Sequence, residues 1–114
     1  MRRKMSYGLC LGVALMLVAL SSGATYNANM TGQLEGVWTY ADSDQIYFRL
    51  LNQPASHPGC SPIYFVIPAS VPLDRRKMLY ARLMVAYATK ETVNIGYDNQ
   101  GDCADGYIHV HRVG

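Results

Sequence analysis

Two histidines near the end of the chain, His109 and His111, are two residues apart. On a strand that spacing projects both imidazoles from one face, where they could share a metal ion. A closed site would need at least one further ligand, and Asp102 or Asp105 is near enough in sequence to serve. The alternative is a strand face that is simply polar, and the sequence alone assigns no metal and no cofactor. The neighbouring run Asp98-Asn99-Gln100-Gly101-Asp102 hints at a calcium loop. An EF-hand would place Gly at its sixth position and Glu at its twelfth, and here those are Cys103 and His109. A calcium site of another kind stays open beside a turn whose Asp and Asn side chains bond their own backbone. Nucleophilic catalysis finds less support. Ser43, Ser56, Ser61 and Ser70 lie outside any G-x-S-x-G elbow, and the two glutamates, Glu35 and Glu91, fall in different elements. No catalytic residue is therefore assigned. The rival reading is a small secreted hydrolase or metal-dependent enzyme built on His109, His111 and the Asp-rich loop.

The aromatic content points elsewhere. Trp38 and eight of the nine tyrosines follow residue 24. Tyrosine and tryptophan combine a flat apolar face with a polar handle, the combination on which sugar rings stack. Trp38, Tyr40, Tyr47 and Arg49 are the first candidates for such a ligand-binding surface. In the competing view Trp38 and Tyr40 fill the core of a small barrel.

The segment that precedes them has another purpose. Arg2, Arg3 and Lys4 are followed by an apolar stretch from Leu9 to Leu20 and by the small residues Ser21 to Ala24. This is the pattern of a secretory signal peptide over residues 1–24, and the apolar run is shorter than the roughly 20 residues of a membrane span. The expected destination is secreted or periplasmic, with no stable membrane anchor after cleavage. Removing the leader turns the formal +2 of the whole chain into seven Lys and Arg against eight Asp and Glu, so a nucleic-acid partner has no electrostatic support. It also takes Cys10 away and leaves Cys60 and Cys103, an even pair that reads as a disulfide in an oxidising compartment. Closing a loop of about 44 residues is worth roughly 4 kcal/mol in the chain-entropy treatment.

The elements that must position these groups follow from periodicity. Residues 25–32 read as a flexible leader and 33–114 as a single domain. Alternation marks strands over Gln33–Ala41 and Gln45–Leu51, which form a hairpin, and over Ile63–Ile67, which is apolar and so central. Asp74–Thr89 is free of Gly and Pro and carries Leu79, Leu83 and Ala86 at helical spacing, widened by Met78 and Val85. Ser70 or Asp74 could cap its start. Strands over Thr92–Tyr97 and Tyr107–Val113 complete the chain. The expected fold is α+β and mostly β: a small five-stranded OB-like barrel of order β-β-β-α-β-β, with one helix and one disulfide.

Residues 76–83 (Arg-Lys-Met-Leu-Tyr-Ala-Arg-Leu), 88–97 (Ala-Thr-Lys-Glu-Thr-Val-Asn-Ile-Gly-Tyr) and 106–110 (Gly-Tyr-Ile-His-Val) give a leucine-bearing helix, a polar turn, a V-x-I strand and a final G-Y-I strand. This layout is similar to a group of small secreted bacterial proteins and resembles the B subunits of subtilase cytotoxin and typhoid-toxin type. The resemblance implies an OB-fold, assembly into a pentamer and recognition of sialylated glycans. It covers residues 74–112 in local pattern, and no residue here matches a sugar-contacting motif of those subunits closely enough to take over its role. The functional expectation is a secreted, non-enzymatic binding module for a glycan or a protein, able to form a homo-oligomer. A secreted inhibitor or envelope protein is the further alternative.

Overall fold

The structure, a computed structural model, describes residues 26–114. The expected export signal over residues 1–24 lies outside the described residues. Seven strands and one helix follow in the order β1 (Ala28–Gly32), β2 (Leu34–Thr39), β3 (Ile46–Leu50), β4 (Ser61–Ile67), α1 (Leu73–Thr89), β5 (Val93–Tyr97), β6 (Cys103–Ala104) and β7 (Tyr107–Val113). The fold is mostly β with one helix, as expected, and its sheet curls into a half-barrel. The strand count is seven, not five, for two local reasons.

The first reason is β1. Ala28–Gly32 was expected to be flexible leader, yet it pairs antiparallel with β5 from Ala28↔Tyr97 to Gly32↔Val93. Met30 is its only large apolar side chain, and it packs on the core. Backbone ladder bonds supply the rest, and these leave no trace in side-chain polarity. The second is β6. Asp105 and Gly106 both take positive φ, 54° and 81°, and join Ala104 to its partner Tyr107. Positive φ at both central residues is the type I′ geometry that Asp-Gly favours, and it folds a two-residue strand back on β7.

The sheet runs in the order β1-β5-β7-β4-β3-β2, with β6 on β7. Neighbours are antiparallel except β4 and β7, which are parallel. The two ends of this path, β1 and β2, are separated by Gln33 alone. Along each strand alternate side chains enter the core: Ile46, Phe48 and Leu50; Phe65 and Ile67; Val93 and Ile95; Ile108 and Val110. The helix contributes Leu83 and Ala86, fully buried, with Leu79 half-buried beside them. Met78 and Val85 do not widen this stripe. They are 72% and 55% exposed, because at 3.6 residues per turn they sit roughly 100–130° around the helix from the line of Leu79, Leu83 and Ala86. Neither Ser70 nor Asp74 caps the helix: Pro72 is the N-cap, without a side-chain hydrogen bond, and Lys90 ends the helix in the left-handed region.

The expected disulfide between Cys60 and Cys103 is present, with Cα atoms 5.6 Å apart. It ties the residue before β4 to the first residue of β6. Among the described residues no helix is long and apolar enough to cross a membrane.

Candidate functional site

The residues that alternate with the core form a second, smaller cluster on the other face of β2, β3, β4, β6 and β7. Its buried centre is Tyr47, Val66 and Ala104, with Trp38, Tyr64 and Tyr107 packed around them. Sheet register assembles it. Trp38 lies opposite Tyr47, Tyr47 opposite Val66, and Ala104 opposite Tyr107. The rings meet edge to face at centroid distances of 5.4 Å (Trp38–Tyr64), 5.7 Å (Tyr47–Tyr64), 6.0 Å (Tyr47–Tyr107) and 5.3 Å (Tyr64–Tyr107). Such pairs contribute about 0.5–1.5 kcal/mol each beyond the area they bury, so the cluster holds its own shape. The Trp38 indole lies over Gly36, where an added Cβ would come within 2.8 Å of the ring. Tyr40, just past β2, is 48% exposed and stands 5.3 Å from Tyr47.

Between Tyr40, Tyr47, Tyr64 and Tyr107 a pocket of about 280 Å³ opens, with Asp42, Ser43 and Asp105 completing its wall. Tyr47 is its floor: the ring is buried, and its hydroxyl donates to Asp105 Oδ2 at 2.7 Å and lies 2.9 Å from Gln45 Oε1. The hydrogen bond to Asp105, then burial, then the nearby carboxylate charge push the Tyr47 hydroxyl up to about 12. Asp105 can meet Tyr47 because the Asp105-Gly106 turn carries it out over β3.

Three of the four residues expected to bind ligand therefore come together here. Trp38 supports the rings, Tyr40 forms the wall and Tyr47 the floor. Tyr40 is exposed and not core, while Trp38 is partly buried against the second cluster and does not itself line the pocket. Arg49 shares the face of Tyr47 but is engaged elsewhere: Nη1 donates to the Ile63 carbonyl at 2.6 Å, and Nε lies 3.2 Å from Glu35 Oε2, off the angle of a hydrogen bond. Tyr64 and Tyr107 are pocket residues that the sequence reading did not name, and Asp105, named there only as a possible metal ligand, lines this pocket instead. Tyr64 was hidden in a strand read as wholly apolar, although it alternates with Phe65. The Asp-Gly pair was the available sign of the turn that delivers Asp105.

Farther along the same face of β7 stand His109 and His111, their rings stacked with centroids 4.0 Å apart. Asp102 reaches both. Its Oδ1 lies 3.1 Å from His109 Nδ1 and its Oδ2 lies 2.6 Å from His111 Nε2. Burial opposes ionisation of Asp102, but the hydrogen bonds from His111 and His109 outweigh it and hold the carboxyl below its ordinary range. A cleft of about 380 Å³ beside the start of α1 has Ser70, Pro72, Arg75, Leu79 and both histidines among its walls.

The remaining candidates are structural. Asp98 Oδ2 accepts the backbone N–H groups of Gln100, Gly101 and Asp102 at 3.2, 3.0 and 3.1 Å. One carboxylate oxygen of the suspected calcium loop thus serves its own turn. His57 Nδ1 accepts from Gly59 and Cys60 N–H at 3.1 and 3.0 Å, which leaves Nε2 to donate to the Asp98 carbonyl at 2.8 Å. Histidine 57 thereby bolts the two cysteine-bearing loops together beside the disulfide.

Compared with known protein families, curated proteins and solved structures, the chain matches none.

Proposed function

We propose that the chain is an exported, non-enzymatic binding module of OB type that takes a glycan in the aromatic pocket. The fold part of this reading treats residues 28–39, interrupted only at Gln33, as one bent strand, and β6 as an addition to the last loop. The remaining order is then β-β-β-α-β-β, and the two ends of the strand path, joined in sequence at Gln33, support the reading as a partly open Greek-key barrel. Export rests on the basic, apolar and small-residue pattern of residues 1–24, with the disulfide as its companion.

The glycan part rests on one observation. Four tyrosines surround a shallow pocket whose rim carries Asp42, Ser43 and Asp105. Ring faces can stack on a pyranose, while the hydroxyls and carboxylates bond its edge. The resemblance to toxin B subunits supports the same ligand class and adds self-association. Met78 and Val85, apolar, exposed and seven residues apart on α1, suit a face that meets another copy.

A glycan array probed with the disulfide-bonded protein tests the proposal. Binding to a defined set of glycans is expected, with Tyr107→Ala and Asp105→Asn each weakening it about tenfold, the loss of roughly one stacking or charge-assisted contact. A native-mass measurement reads the assembly. A folded protein that binds no glycan, or whose binding ignores both substitutions, refutes the pocket.

A further inference from the structure

The second cluster on this face is independent of the glycan reading. The geometry points to a binding site for one divalent transition-metal ion of the zinc class, held by Asp102, His109 and His111. The three side chains can each offer one ligand atom, and these atoms all lie within 4.8 Å of one another. Ligand atoms about 2.0–2.2 Å from a shared ion are separated by roughly 3.3 Å in a tetrahedron. The imidazole nitrogens here stand 3.1 and 2.6 Å from the Asp102 oxygens, so small rotations of three partly exposed side chains open the space an ion needs. The ion would take the place of the protons that now join each imidazole to the carboxylate.

The donor set selects the ion. Two imidazole nitrogens and one carboxylate suit zinc and its neighbours, whereas calcium and magnesium want oxygen cages. Among the described residues no thiolate takes part, because Cys60 and Cys103 are joined to each other. Three protein ligands leave at least one coordination position for water or an incoming group, and the cleft beside α1 has room for it.

The ligands are also held. His109 and His111 share a face of β7 by strand alternation, and His111 stacks on Tyr26 at 5.9 Å. Asp102 is fixed at both backbone ends: its N–H donates to Asp98 Oδ2 at 3.1 Å and its carbonyl accepts from His109 N–H at 3.3 Å. Its next neighbour, Cys103, is covalently anchored. No residue is shared with the aromatic pocket.

Equilibrium dialysis of the disulfide-bonded protein against zinc chloride is the test. One zinc per chain is expected at micromolar dissociation constant, together with a rise in thermal midpoint on adding zinc. The His109→Ala, His111→Ala double variant should lose about 100-fold or more in affinity, and Asp102→Asn about tenfold. Cobalt(II) in place of zinc should give the intense visible absorption of a low-coordinate site. Unchanged glycan binding by these variants reports that the fold is intact, and each variant's own thermal midpoint without zinc is the baseline from which its zinc-induced rise is read. Zinc uptake that is absent, or equal in the parent and the double variant, overturns the proposal and leaves the glycan reading untouched.

Discussion

The Tyr47 hydroxyl gives up its proton only at the expense of its bond to Asp105, beside which a phenolate would stand. Its folded value of about 12, against 10.0 for the free side chain, makes a stability statement. Below pH 10 both the folded and the unfolded chain keep the proton, and the contribution is complete. From pH 10 to about pH 12 the unfolded chain ionises first, so stability falls as pH rises through the folded value. Ultraviolet titration of tyrosinate should show one tyrosine ionising last, and Tyr47→Phe should remove that step and cost about 1 kcal/mol in denaturant unfolding. The same residue marks what was legible from sequence. Trp38, Tyr40 and Tyr47 could be named because alternation along one hairpin places them. Tyr64 and Tyr107 could not, since they meet only through the parallel pairing of β4 and β7. That contact spans sequence positions which no local pattern links. Asp102 was one of two guesses, and which carboxylate meets the histidines was decided by the turn at Asp98.

At the scale of elements, the two surprises both concern short strands. β1 is a polar strand on β5, and β6 is two residues long. Periodicity detects buried faces, so it detects neither. The element that most constrains the site is the loop from Asp98 to Gly106, which packs backbone to backbone on the loop before β4. An ideal Cβ at Gly59 would lie 2.6 Å from Gly101 Cα and 2.8 Å from the Gln100 carbonyl, and main chain cannot swing aside as a side chain can. A Cβ at Gly101 would meet nothing within 4 Å. Gly59→Ala is therefore expected to destabilise by about 1–3 kcal/mol, the cost of overpacking. Gly101→Ala should stay within about 0.5 kcal/mol of the parent. Chemical denaturation of the pair checks the contrast, and equal losses would show that the loops yield.

For the whole molecule, the core is one line of helix against a small curled sheet, and the Cys60–Cys103 bond spans 43 positions of the chain. A Cys60→Ser, Cys103→Ser variant should lose roughly 4 kcal/mol, read as a lower thermal midpoint; a loss below about 1 kcal/mol would mean that packing alone holds the loops. The position of Cys103 adds something that stability does not capture. One residue before it is the carboxylate that meets the histidines, and two residues after it is the carboxylate that meets Tyr47. A single covalent latch thus stands in sequence between the two carboxylates and anchors the loop that carries both. In the proposed reading, cutting this latch would loosen the loop that carries both carboxylates, so reduction should weaken zinc and glycan binding together, whereas a substitution in either site weakens only one.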